Sequence, residues 1–165
     1  MKIVFLDFDG VLNSWAFFEM TKGARAEEGI TDLERWVRKV DPAAVAELDR
    51  ICTTAGADVV VSSTWRQLHA LADLRQILER RGFTGRIIGK TPRLPPHGVR
   101  SCPRGLEIQE WLDATRRPVE SFVILDDDND MEHLIDRLVL TSFRTGLTAG
   151  DADKAINVLR RPYER

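Results

Sequence analysis

The sequence predicts a three-layer α/β domain built around a mainly parallel sheet. Three observations predict it. Short apolar runs alternate along the chain with stretches of helical periodicity. The runs show no polar alternation, which suits strands buried on both faces. Several of them stop abruptly at clusters of polar residues, at the strand ends where open parallel sheets bind ligands.

Each element has its own signal. Ile3, Val4, Phe5 and Leu6 form the first run, and Asp7-Phe8-Asp9-Gly10 ends it in a turn. Asp41-Pro42 is a helix start, an acidic cap followed by Pro at the first helical position. Val45, Leu48, Ile51 and Cys52 give that helix its apolar stripe, and Gly56 stops it. Residues 58–61 are a β-branched run, ended by Ser62-Ser63-Thr64. A second amphipathic helix is expected over residues 68–81, with Leu71, Leu74, Ile77 and Leu78 on one face and Gly82 as its stop. Residues 86–88 are a short third strand. Residues 89–103 form a loop holding four of the seven prolines. A third helix follows from Gly105, carrying Leu106, Ile108, Trp111 and Leu112. Phe122, Val123, Ile124 and Leu125 are a further strand ending in Asp126-Asp127-Asp128, and residues 138–140 are the last. Thr148-x-x-Asp151 is a capping box for a final helix through Ile156 and Leu159.

Composition bounds the rest. The 165 residues fit a single domain by the prior of roughly 100–200 residues each. With 43% hydrophobic and 30% charged residues the chain can bury a core and stay in solution, which excludes collagen-like and disordered classes. A net charge of −2 argues against a surface given over wholly to nucleic acid, and leaves room for a local basic patch. Two cysteines, Cys52 and Cys102, make neither a disulfide scaffold nor a cysteine zinc site. Nothing reads as an export signal, and no run approaches the roughly 18 apolar residues of a membrane helix, so a cytoplasmic location is expected. One segment breaks the strand–helix rhythm. Residues 14–39, with Trp15, Phe17, Phe18 and Trp36, are too few for a domain and are expected as a small cap or flap over the sheet.

The polar clusters carry the chemistry. An isolated Asp after a strand is usually a turn or cap residue, and an acidic run is usually a solvated loop. Here Asp7/Asp9 and Asp126/Asp127 each follow a buried strand, and the fold brings both to one edge. Gathered carboxylates raise one another's pKa unless a cation sits among them. A hard divalent ion with oxygen ligands, Mg2+, resolves that repulsion. Lone His69 and His133 read as surface or capping residues, and Trp111 as packing.

These residues resemble the haloacid dehalogenase (HAD) superfamily of phosphotransferases, whose fold is Rossmann-like. Its first motif, an apolar strand followed by Asp-x-Asp-Gly, is matched by Val4 through Gly10. The second, a strand ending in a hydroxyl residue, is matched by Val61-Ser62. The third, a basic residue near a helix start, is matched by Arg104-Gly105. The fourth, a strand ending in an acidic pair, is matched by Leu125-Asp126-Asp127. Ser62-Ser63-Thr64-Trp65-Arg66, the loop Thr91-Pro92-Arg93-Leu94-Pro95 and the Arg-Gly-x-Glu-Ile helix start are similar to small HAD phosphatase domains associated with RNA repair and polynucleotide kinase-phosphatases. The third motif is usually Lys in the superfamily. Arg104 stands there here, with Lys90, Arg93 and Arg100 nearby as alternatives.

The resemblance implies a phosphatase working through an aspartyl-phosphate. Asp7 would be the nucleophile, and Asp9 the general acid and then the general base. Ser62 would bond a phosphoryl oxygen, and Arg104 would screen charge and anchor Asp7. Mg2+ would be held by Asp7, the Asp9 main-chain carbonyl and Asp126, with Asp127 as an additional ligand and Asp130 a weaker candidate. Ser63, Thr64, Arg66, Lys90 and Arg93 are substrate-binding candidates, any of the three adjacent hydroxyls being able to meet phosphate. A minimal cap leaves the site open, which suits a nucleic-acid end or a nucleotide. Lys90, Arg93, His97 and Arg100, with Arg66, are then a backbone-phosphate track, or else an ordinary solvated basic loop. Trp15, Phe17 and Phe18 are base-stacking candidates or packing. The competing readings are a small-metabolite phosphatase and a catalytically idle HAD-like interaction module. A receiver-type signalling domain fits less well, because it needs an Asp at the end of its third strand.

Overall fold

The computed structural model describes residues 1–24, 29–96 and 102–164. His97 and Arg100, placed by the sequence in the basic track, lie outside the described residues. Five strands, β1 (Lys2–Leu6), β2 (Ala57–Val61), β3 (Ile87–Lys90), β4 (Ser121–Asp126) and β5 (Leu138–Leu140), form one sheet in the order β3-β2-β1-β4-β5. Every pairing is parallel. The sheet is therefore the parallel one that the uninterrupted apolar runs predict, in the Rossmann-like form that the HAD resemblance implies.

Strand periodicity divides the core in two. Val4 and Leu6 point to one face with Val59, Val61, Val123 and Leu125. There they meet α3 (Pro42–Ala55), α5 (Leu71–Glu79) and α7 (Ala149–Val158) through Leu48, Leu74 and Ala155. Ile3 and Phe5 point to the other face with Phe122 and Ile124, against Ile108 and Leu112 of α6 (Arg104–Ala114). Buried on both sides, β1 has no room for polar alternation, which is why it reads as a continuous apolar run.

The helix ends obey local rules. The Asp41 side chain accepts from Ala43 N at 2.8 Å, and Gly56 closes α3 in the left-handed region. Thr148 and Asp151 form the expected capping box. One expected element differs. The helix expected over 68–81 is interrupted, with a short α4 (Trp65–Leu68) ending at His69 and α5 beginning at Leu71. Leu68 lies off the apolar stripe and is exposed, so the periodicity belongs to α5 alone.

Within residues 14–39, α1 (Trp15–Thr21) is capped by Ser14, and α2 (Asp32–Lys39) by Thr31. Val37 and Val40 are buried in the main core, and Leu33 and Trp36 pack against it. The second half of this segment thus joins the helical layer beside α5. The first half borders the carboxyl end of β1. That end is also where the topology switches, with β2 on one side of β1 and β4 on the other, so the acids following β1 and β4 face one crevice.

Candidate active site

Parallel register places the acids. Leu6 pairs with Leu125, and Asp7 N donates to Leu125 O at 2.9 Å, so Asp7 and Asp126 leave adjacent strands side by side. Asp7, Asp126 and Asp127 each offer a carboxylate oxygen, and these atoms lie within 4.8 Å of one another. Burial pushes the Asp7 carboxyl up to about 6. Arg104 and a hydrogen bond from the Ser63 side chain oppose that rise, and the charge of Asp9 adds to it. Burial and the neighbouring Asp7 charge push Asp126 up to about 7. Asp127 is raised as well, first by burial.

The turn is built around this cluster. Gly10 has φ +72°, and a Cβ there would stand 2.3 Å from the Asp127 side chain. Only glycine permits both the left-handed turn and the close approach of that carboxylate. Thr141 Oγ1 donates to Gly10 O at 2.8 Å and fixes the turn to the end of β5.

Arg104, at the start of α6, brings Nη1 to 3.8 Å from Asp7 Oδ1. Among the described residues this is the ion pair made to Asp7. Its position comes from two contacts: Arg104 N donates to Asp130 Oδ2 at 3.0 Å, and Gly105 N to Asp130 O at 3.1 Å. Gly105 also sits against Met131, where a Cβ would lie 2.2 Å from a carbonyl oxygen. Asp130, weighed as a metal ligand from sequence, accepts from the main chain of the helix that aims Arg104.

One guanidinium does not balance the acids around it. Asp126 Oδ1 accepts from Asp128 N at 3.0 Å, whereas its buried Oδ2 has no hydrogen-bond partner among the described residues. Ser62 is fully buried at the end of β2, its N donating to Leu6 O, and its Oγ is likewise unpartnered. A buried carboxylate oxygen without a donor, in a group of three carboxylates, is the donor set of a hard divalent cation. The residues present therefore fit Mg2+.

The family model for the HAD domain in Swiss Army Knife RNA repair proteins matches residues 3–152. The chain belongs to that family. No curated protein and no solved structure gives a significant match.

In this HAD domain the remaining candidates take unequal positions. The Asp9 carboxylate is absent from the metal-sized group. Its Oδ1 accepts from Asn13 Nδ2 at 2.7 Å and its Oδ2 from Trp65 Nε1 at 3.1 Å. Trp65 stacks on Phe8 at 4.6 Å and meets Trp36 edge-on at 4.7 Å, so α2 supports the residue that orients Asp9. Ser63 is buried and bonds Asp7. Thr64 and Arg93 are exposed and share a cleft of about 290 Å³ with Arg104 and Asp128.

Arg66 and Lys90, substrate-binding candidates by sequence, both bond groups of the protein itself. Arg66 is 6% exposed. Its guanidinium donates to Ser62 O at 2.8 Å and Ser63 O at 2.7 Å, and pairs with the buried Glu107 of α6. Glu107 also accepts from Leu94 N at 3.2 Å. This pair ties the hydroxyl loop, the 92–94 segment and the helix of Arg104 into one unit. Lys90 Nζ donates to Arg66 O at 2.8 Å and His69 O at 3.1 Å, holding the end of α4. A buried charge must be paired, and these contacts supply the pairing, while Arg66 still lines the cleft shared by Thr64, Arg93 and Arg104. Glu107, Trp65 and Asn13 are the supporting residues that sequence reasoning gave no role. Trp65 and Glu107 do stand in the two stretches that carry the resemblance to RNA-repair HAD domains, the signal that could have marked them.

Proposed function

We propose that the protein is a Mg2+-dependent phosphomonoester hydrolase that acts through an aspartyl-phosphate on nucleic-acid or nucleotide phosphate ends. The observation that carries this is the pairing of Asp7 with Arg104 at 3.8 Å while Asp7 shares a cation-sized group with Asp126 and Asp127. Membership of an RNA-repair HAD family supports the substrate class.

Each residue then has a task. An oxygen of Asp7 forms a bond to phosphorus as the ester P–O bond breaks, and Asp9 gives its proton to the departing alcohol. Water next attacks the phosphorus of the aspartyl-phosphate. Asp9 takes the water's proton, and inorganic phosphate leaves with Asp7 restored. Arg104 screens charge on the phosphoryl group and holds Asp7 in line. The unpartnered Ser62 Oγ donates to a phosphoryl oxygen. Asp7, Asp126, Asp127 and the Asp9 carbonyl would hold Mg2+, which supplies neutralisation of the anionic substrate. With α2 packed into the helical layer, α1 is the short helix beside the site, which leaves room for a large substrate.

A substrate panel tests this reading. It comprises 3′- and 5′-phosphorylated oligonucleotides, nucleotides, sugar phosphates and p-nitrophenyl phosphate, each with Mg2+ and with EDTA. Mg2+-dependent hydrolysis favouring the nucleic-acid and nucleotide esters is expected. Preference for sugar phosphates would replace the substrate class, and no turnover of any ester would replace the enzyme reading.

A further inference from the structure

Beside Asp9 the surface opens into a cleft of about 300 Å³, lined by Trp15, Phe18, Phe143, Asp9, Asn13 and Lys39. This is the lower end of the roughly 300–1,000 Å³ range of small-molecule clefts. The aromatic residues of α1 divide. Phe17 is in the core at 7% exposure, whereas Trp15 is 51% exposed and Phe18 41%. Phe143, from the turn after β5, is 56% exposed. Large rings left in water around one concavity mark a binding surface. Trp15 and Phe18 lie against each other with ring centroids 5.6 Å apart. The segments carrying Trp15 and Phe143 are fixed together by the main chain, with Trp15 N donating to Phe143 O at 2.9 Å and Ala16 N to Arg144 O at 3.0 Å. The aromatic walls are thus preformed.

The chemistry at the end of the cleft selects the occupant. Asp9 serves the leaving oxygen in the proposed reaction, so a cleft that begins at Asp9 lies on the side of the departing alcohol. Its walls suit a flat ring, and Lys39 at its edge supplies a cation for the phosphodiester strand that carries such a ring. Lys39 borders the cleft, its Nζ resting 3.8 Å from the Trp36 ring centroid. We propose that this cleft is the leaving-group subsite and takes the nucleobase of the phosphate-bearing nucleotide, stacked against Trp15 and Phe143. The inference rests on the phosphatase reading and names the part of the substrate that this site recognises.

The test is equilibrium binding by the Asp7→Asn protein in Mg2+, so that no turnover is required. The ligands are a 3′-phosphorylated oligonucleotide, the same strand with an abasic terminal residue, and the matching 3′-mononucleotide. The base-bearing strand is expected to bind about tenfold or more tighter than the abasic one. Adding Trp15→Ala and Phe143→Ala is expected to bring that ratio near one, while Trp15→Phe retains most of it. Equal binding of base-bearing and abasic strands by the parent protein would overturn the proposal. So would an unchanged ratio after both alanine substitutions, with circular dichroism confirming the fold. Lys39→Ala separates the sources of the base. Selective loss for the oligonucleotide assigns polynucleotide ends, and equal loss for both ligands assigns the free nucleotide. Failure of the phosphatase reading shows separately, as absence of hydrolysis by the wild-type protein across all esters.

Discussion

Asp7→Asn is expected to lower kcat on every accepted phosphate ester by at least about 10⁴-fold, with the fold intact. An amide oxygen is a poor nucleophile toward phosphorus, and the shape of the side chain is otherwise unchanged. The position is held by the main chain, through Asp7 N and Leu125 O, and that bond survives the substitution. Arg104 loses its anionic partner, but the Asp130 contacts at the start of α6 still hold the helix. Steady-state kinetics with circular dichroism would check this. Activity within about tenfold of wild type would remove Asp7 as the nucleophile.

Asp126→Asn is expected to stabilise the metal-free protein while removing its Mg2+-dependent activity. The folded-state pKa of Asp7 is about 6 and that of Asp126 about 7. In the unfolded chain both carboxyls titrate near 4. A carboxyl raised in this way favours folding in its protonated form. That contribution is complete below about pH 4 and is lost as the pH climbs through about 6 to 7. The metal-free Tm should therefore fall between pH 5 and pH 8, because two buried acids are forced to ionise side by side. Asparagine at position 126 stays neutral throughout. At pH 8 it should raise the metal-free stability by on the order of 2 kcal/mol, or roughly 4–8 °C in Tm, and flatten the pH profile. Mg2+ should close the gap for the wild type and leave the variant unmoved. Thermal melts across pH, with EDTA and with Mg2+, measure all of this. A destabilised variant at pH 8 would show that Asp126 is an ordinary structural acid.

The legible and illegible parts of this protein differ physically. Strands buried on both faces announce themselves, because a run such as Val4-Phe5-Leu6 has nowhere to put a polar side chain. An acid that ends such a run is conspicuous for the same reason, and that is how Asp7 and Asp126 were found. Pairing across long sequence separations leaves no such trace. Arg66 reads as a free cation in a basic stretch until the fold brings Glu107, 41 positions further along the chain, to it. The same holds for Lys90, whose partners are carbonyl oxygens of an unexpected helical turn. Trp15, Phe17 and Phe18 are alike in composition, and only the direction in which α1 faces separates the buried ring from the exposed two. The break at His69–Ala70 was hidden because Leu68 continues the apolar spacing by chance while pointing to solvent.

Central to the account is that Asp7 and Asp126 share one cation at the carboxyl end of the sheet. Crystals soaked in Mn2+, with diffraction collected at the manganese edge, measure this directly. One strong anomalous peak is expected in contact with the carboxylates of Asp7 and Asp126, lost in Asp126→Asn crystals. An active protein whose peak lies elsewhere, or whose peak survives that substitution, would contradict it.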